Sequence, residues 1–301
     1  VGGLYPLTGS LRSECENDQH KRIYGVSKSF IWQCPGGMMP YVVGFFLSYM
    51  DKFISYDIMF RIILFLGSVP SSIVLILSFN SHENESYLTN KCSNPFNIAL
   101  KQKKYWYILI GTGFSWLFYD ILFYGLTFNI PEILSNIFGK PDLNDICWQT
   151  FFISFIGLLA SIHALNIINN YGCKNLQMFN FFLFFVTCLI YFIFEICDSN
   201  SKWLHFTFTT ILFFLLNWGI NLTTYVIPSE IFPIKTKGIF FGITAAMGKI
   251  GALIGTFSYN LPNEDHKWIF YLCSSIIVLV WLLHLSLLRM LNVIEKIKKM
   301  I

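Results

Sequence analysis

Residues 116–125 read WLFYDILFYG, and three of their side chains share one face of a helix. Trp116, Asp120 and Tyr124 are spaced i, i+4, i+8, which confines them to an arc of about 80° at 3.6 residues per turn. An indole N–H, a carboxylate and a phenol therefore point the same way within an otherwise apolar run. Such a trio suits an ion that carries both bare oxygens and hydroxyls: the indole and phenol donate, and an ionised carboxylate accepts. The alternative is a hydrogen-bonded clasp between helices. Two further segments bear on the choice. LLNWGINLTTYVIPSEIFPIKTKG places Asn217 and Asn221 before Pro228, and GITAAMGKIGALIG carries Lys249 inside apolar sequence. A lone lysine there would lose its hydration, whereas one opposite Asp120 has a counter-charge. The small residues around it (Gly242, Ala245, Ala246, Gly248, Gly251 and Ala252) permit close helix approach. Packing explains the small residues but not the lysine.

These residues need long apolar helices to hold them, and the composition supplies such helices. Of 301 residues, 54% are hydrophobic and 13% charged, against about 25% charged in soluble domains; the mean hydropathy is +0.56. The apolar residues form blocks of roughly 20, the length that crosses a bilayer as helix. Spans are expected at about 30–50, 58–78, 105–130, 148–168, 177–197, 203–226, 238–259 and 268–290, with a half-span at 1–11. A β-barrel is excluded, because its strands would alternate in polarity. Asp120 then lies about 15 residues into its span, roughly 22 Å along the helix, too deep for so short a side chain to reach water.

Orientation follows from Lys and Arg. One set of loops and their edges holds Arg12, Lys21, Arg22, Lys28, Lys91, Lys101, Lys103, Lys104, Lys174, Lys235 and Lys237, with Arg289, Lys296, Lys298 and Lys299 at the C-terminus. The other holds Lys52, Lys140, Lys202 and Lys267. The first set, and the C-terminal tail with it, is expected in the cytoplasm. The net charge of +4 is thus a matter of topology, and no nucleic-acid partner is implied. The cysteines at 15, 34, 92, 147, 173, 188, 197 and 273 show no metal-ligand spacing and read as packing residues; Cys147 with Cys197 is the one pair worth testing as a bridge. No nucleophile–base or metal constellation appears, so an enzyme, a cofactor and a metal are not expected. Residues 79–104 are polar and separate three spans, one partial, from six. The chain opens at Val1 inside an apolar segment, which reads as a six-loop-six arrangement lacking its first three spans.

The motifs now in view resemble a known family. GGLYPLTGSLRSE, WLFYDILFYGLTFN and TTYVIPSEIFPIKTKGIFFGITAAMGKIGA together are similar to the phosphate:proton symporters of the major facilitator superfamily. YDIMFRIILFLGSVPS is similar to that family's sixth helix through Asp57, Arg61, Gly67 and Pro70. NNYGCKNLQ resembles a decayed form of the superfamily's Asp-x-x-Gly-Arg-Lys loop, with Asn169 and Cys173 in place of the acid and the arginine.

The resemblance implies an all-α major facilitator fold running from within helix 4 to helix 12. Residues 1–78 would be the remainder of one helix bundle, 79–104 a central cytoplasmic loop and 105–301 a six-helix bundle. It implies transport of inorganic phosphate by alternating access in a lipid bilayer, the plasma membrane rather than an organelle. The coupling ion would be H⁺, with Na⁺ as the alternative. Its phosphate pocket falls on Tyr5, Gln33, Trp116, Asp120, Tyr124 and Asn221, and its intramembrane lysine on Lys249. Tyr, Trp, Gln and Asn would donate to phosphate oxygens, while ionised Asp120 would accept from phosphate hydroxyls and carry the proton. The family's fourth-helix acid is replaced here by Leu4, which leaves Asp120 as the chief proton site. Glu230 and Lys237 flank a Pro-bounded turn, where their ion pair would act as a gate. Other functions to weigh are a sugar or organic-ion porter of the same fold, and a phosphate sensor descended from a transporter.

Overall fold

The structure, a computed structural model, describes residues 4–79, 88–89, 93–139, 142–196 and 201–259. Every regular element among them is helical. In order they are α1 (Leu4–Glu14), α2 (Gln19–Ile31), α3 (Gln33–Ser48), α4 (Tyr56–Ser78), α5 (Pro95–Lys101), α6 (Lys103–Phe138), α7 (Leu143–Tyr171) and α8 (Cys173–Ile196). There follow α9 (Lys202–Leu215), a π turn (Leu216–Ile220), α10 (Asn221–Ile231) and α11 (Ile234–Tyr259). Six stretches among the described residues are long and apolar enough to cross a membrane: Tyr56–Ser78, Lys103–Ser135, Leu143–Tyr171, Cys173–Phe194, Lys202–Ile231 and Ile234–Phe257.

Two expected spans are redrawn. The one at 30–50 starts earlier, at Gln19, and is broken at Trp32. Pro35 has no N–H to donate to the Ile31 carbonyl, so the helical ladder is interrupted one turn before the proline. The span at 105–130 continues to Phe138, where Gly139 at φ 91° ends it. The span at 268–290, most of the central loop and Cys197 lie outside the described residues, so the Cys147–Cys197 pairing is not visible; Cys147 itself is a buried free thiol.

The chain reverses direction at each short connection, so one end of the structure gathers the close of α1, the start of α2, the start of α6, the close of α10 and the start of α11. Bonds tie these segments together: Thr236 donates to Gln102 at 3.2 Å, Lys237 to Ser13 at 2.8 Å, and the Asn169 amide to the His20 carbonyl at 3.4 Å. Asp18 caps α2 there by accepting from the Lys21 N–H at 2.8 Å, which holds its carboxyl below the usual range. Arg12, Lys21, Arg22, Lys103, Lys104, Lys174, Lys235 and Lys237 all belong to this basic end. α4 packs mainly on α3, and its Asp57–Arg61 pair, at 3.0 Å, is exposed.

The tightest packing joins α6 to α11. A Cβ built on Gly251 would run into the carbonyl oxygen of Leu117, and one on Gly255 into that of Ile121. At Gly248 it would lie 2.7 Å from the indole nitrogen of Trp116. The two backbones therefore touch along a groove of glycines three and four residues apart, which are neighbours on one helix face. Gly242, expected to share in this approach, has no heavy atom within 4 Å of its Cβ position and takes no part.

Because the obstacle at Gly251 is backbone, it cannot swing aside, and Gly251→Ala must push α6 from α11. That should cost about 1–3 kcal/mol, while Gly242→Ala should be near neutral. Thermal unfolding of the two variants in detergent checks this; equal melting temperatures would show that the groove does not set the helix spacing.

Candidate functional site

Between α1, the α2–α3 break, α6, α10 and α11 lies a narrow, partly open cavity. Tyr5, Gln33, Trp116, Asp120, Tyr124, Asn221 and Lys249 all line it. The structure thus brings every residue of the expected pocket to one place, from helices up to 244 positions apart in sequence.

The glycine groove sets the centre of the site. Asp120 sits between Leu117 and Ile121, and Lys249 between Gly248 and Gly251, so the backbone contacts carry the two charges toward each other. The Lys249 ammonium lies 3.6 Å from Asp120 Oδ2 and donates to the Tyr124 hydroxyl at 2.9 Å. It also rests over the rings of Tyr124 and Tyr5, 4.7 and 5.1 Å from their centroids, where the ring quadrupole attracts a cation. The Asp120 side chain is 3% exposed and that of Lys249 33%. The acid is sealed in the protein, while the lysine reaches it from a more open position. Removing one member of such a pair leaves a buried charge uncompensated.

The π turn supplies the amides. Asn217 and Asn221 stack one turn apart, and the Asn221 amide nitrogen donates to Asn217 Oδ1 at 3.3 Å. Asn217 is held by the Phe213 carbonyl at 2.9 Å, and the turn itself by Ser161, which donates to the Asn217 carbonyl at 3.0 Å. Gly219 makes room for the turn: a Cβ there would stand 3.2 Å from Asn180 and from Leu176. Asn221 gives one of its two amide N–H groups to Asn217 and keeps the other, the donor expected to meet a phosphate oxygen, while its Oδ1 is a buried acceptor without a hydrogen-bond partner. Gln33 Oε1 and Asp120 Oδ2 likewise make no hydrogen bond. Buried polar atoms are almost always satisfied in native proteins; these three belong to residues that line one cavity, where a ligand with hydrogens to give would complete their bonding.

Four lining residues were not anticipated: Phe30, Tyr119, Phe123 and Thr224. Each stands three positions from an expected one (Gln33, Trp116, Asp120 and Asn221), and the i, i+3 spacing of a helix face is the signal that finds them. Leu4, in place of the family's acid, is largely exposed and does not line the cavity.

Toward the basic end the cavity is closed by aromatic rings. Tyr225 stacks on Phe30 at 4.3 Å and meets Tyr5, Trp116 and Phe241 at 5.6–6.3 Å. Its hydroxyl is 3.0 Å from that of Thr8. Beyond this layer the expected Glu230–Lys237 ion pair is absent. Glu230 instead takes Arg22, with Nε 2.8 Å from both carboxylate oxygens and Nη2 2.8 Å from Oε2. Lys237, 5% exposed, donates to Ser13 Oγ at 2.8 Å. Both residues are tied across to α1 and α2 rather than to each other, because the turn at Phe232–Pro233 leaves each beside a different early helix.

The family described as "Sugar (and other) transporter" matches residues 120–288. "Inorganic phosphate transporter PT2" of Toxoplasma gondii is 29% identical over 263 residues, covering 85% of this chain and 46% of the relative. "Putative inorganic phosphate transporter 1-13" of Oryza sativa subsp. japonica is 25% identical over 319 residues, covering 90% and 62%. "Repressible high-affinity phosphate permease" of Neurospora crassa is 26% identical over 196 residues, covering 62% and 34%. The chain therefore spans about half the length of the curated relatives it matches, and at most 62% of these three. Among solved structures, a bacterial homologue of the iron transporter ferroportin, in an outward-facing state, superposes with a TM-score of 0.62. It is 14% identical and covered over 94% of this chain and 68% of its own, a likeness of fold. The chain is an integral multi-pass membrane protein with the major facilitator fold, and it belongs to the sugar (and other) transporter family.

Proposed function

We propose that this chain carries the substrate site of an inorganic phosphate transporter that works by alternating access, with Asp120 coupling a proton to phosphate. The observation that carries the reading is the convergence of seven polar and aromatic side chains on one cavity around a buried carboxylate–ammonium pair. The names of the similar proteins point to the same substrate.

Dihydrogen phosphate suits this lining. Its bare oxygens take the Lys249 ammonium and the Trp116 indole, while its two hydroxyls find open acceptors in Gln33 Oε1, Asn221 Oδ1 and, until it is protonated, Asp120 Oδ2. Charge supplies the coupling. The empty site holds one cation and one anion; a phosphate monoanion adds a negative charge in a place where water cannot screen it. A proton on Asp120 restores neutrality, so phosphate binding and proton uptake favour one another, as linkage requires. The neutralised site can then reorient with its cargo.

The basic end faces the cytoplasm in this reading, as the positive-inside rule has it, and the membrane is the plasma membrane. Residues 1–78 and 105–301 act as two bundles about the 79–104 loop. The aromatic layer over the cavity, and the Arg22–Glu230 and Ser13–Lys237 ties beyond it, form the inner gate. They must break for the site to open inward.

Asp120→Asn keeps shape and hydrogen-bonding capacity but cannot release a proton. In proteoliposomes of the whole protein it should abolish phosphate accumulation driven by a pH gradient, any residual flux being non-concentrative. Continued uphill uptake by this variant would remove Asp120 as the coupling residue. Sulfate, which has no hydroxyl to give at neutral pH, should leave phosphate uptake unchanged at equal concentration; competition on a par with phosphate would contradict the acceptor-rich site. For the gate, a double-mutant cycle over Arg22 and Glu230, with the exchanged pair Arg22→Glu/Glu230→Arg, should show a coupling of about 1.5–3 kcal/mol in thermal unfolding and a partial return of turnover. A larger coupling for Lys237 with Glu230 would restore the pairing that the sequence suggested.

A further inference from the structure

Tyr119 is not accounted for by the fold. It lies on α6 beside Asp120, is 2% exposed, and lines the cavity. Its ring packs on Phe123 with centroids 5.4 Å apart, and a phenylalanine would make that contact equally well. Its hydroxyl is buried and makes no hydrogen bond. A hydroxyl sealed from water without a partner destabilises the empty protein, so packing alone would favour phenylalanine here. The other lining atoms without hydrogen-bond partners (Gln33 Oε1, Asn221 Oδ1 and Asp120 Oδ2) have no proton of their own to give when Asp120 is ionised. The Tyr119 hydroxyl is the one member of that set that donates whatever the protonation of Asp120.

We infer that Tyr119 is a further ligand of the substrate oxyanion, its phenol donating to a bare oxygen other than the one that Lys249 holds. The inference rests on the phosphate reading above and refines it. Lys249 approaches the cavity from α11, over Tyr5 and Tyr124. Tyr119 stands one position from Asp120, about 100° round α6, and is buried where it lines the cavity. A tetrahedral ion there would give its two hydroxyls to the amide oxygens of Gln33 and Asn221, and would receive donors from Lys249 and Tyr119. The arrangement selects a protonated tetrahedral oxyanion with at least two bare oxygens, and it disfavours a neutral polyol, which has no anionic oxygen to hold the phenol and the ammonium.

Tyr119→Phe tests this in the whole protein purified in detergent, with inorganic phosphate as the probe and thermal unfolding as a second readout. The expected result has two parts. Phosphate binding weakens about tenfold or more, as loss of one hydrogen bond to a charged acceptor implies, with half-saturation in transport rising by a similar factor. The phosphate-free melting temperature is unchanged or rises, because the deleted hydroxyl had no protein partner. Unaltered affinity in Tyr119→Phe overturns the inference, and so does a fall in phosphate-free stability, which would give the hydroxyl a structural partner. Wild type and Asp120→Asn, run alongside, separate the two claims. If wild type binds no phosphate, the phosphate reading fails and the inference with it. If wild type binds and Asp120→Asn is impaired while Tyr119→Phe matches wild type, Tyr119 alone is struck out.

Discussion

The backbone contact between α6 and α11 is the constraint on which the site depends. At Gly251 and Gly255 no side chain separates α11 from the Leu117 and Ile121 carbonyls of α6, so the two helices lie backbone to backbone. Asp120 and Lys249 stand within this seam. Short of such an approach, the carboxylate, which has little reach of its own, would lie buried without a counter-charge, a state whose cost is several kcal/mol. The same seam brings Trp116 against Gly248 and Tyr124 under the Lys249 ammonium. One packing decision thus positions four of the residues that face the cavity.

The second structural device is the π turn at Leu216–Ile220. A π turn widens the helix locally and is frequent at functional sites. Here it sets Asn217 and Asn221 one above the other, so that one amide immobilises the next. The immobilised amide shows its oxygen to the cavity. Together with Gln33 and Asp120 it makes the lining richer in acceptors than in donors, which suits a ligand that brings hydrogens of its own. A buried set of acceptors is unfavourable when nothing fills it, and around this cavity three of them come together.

Closure toward the basic end is built from contacts between early and late parts of the chain. Tyr5 and Phe30 meet Tyr225, Ser13 meets Lys237, and Arg22 meets Glu230. None of these pairs is local, so each reports how α1 and α2 sit on α10 and α11. An ion pair with three nitrogen–oxygen distances of 2.8 Å and a cation held by a single hydroxyl are polar ties, which reform with water when broken. Such ties suit a joint that must open, whereas the glycine seam suits one that must not.

Helix period, span length and the rarity of charge in apolar sequence were legible from the amino acids alone. They marked Trp116, Asp120 and Tyr124 as one face, Lys249 as a residue in need of a partner, and most of the membrane spans. The family likeness added Tyr5, Gln33 and Asn221, and all of these line the cavity. What the sequence could not carry was which faces meet and which atoms are already engaged. Period 3.6 relates residues within a helix but is silent on pairs 208 or 224 positions apart, such as Arg22 with Glu230 and Ser13 with Lys237. The nearness of Glu230 and Lys237 in sequence suggested a pair that the turn between them does not make. Nor does composition tell that Asn221 spends one of its two amide N–H groups on Asn217 of the same wound turn. The sequence by itself determined the kind of molecule and the side chains capable of the chemistry. The tertiary structure decided their partners, because hydrogen bonds and ion pairs are satisfied in space and each atom has a limited number to make.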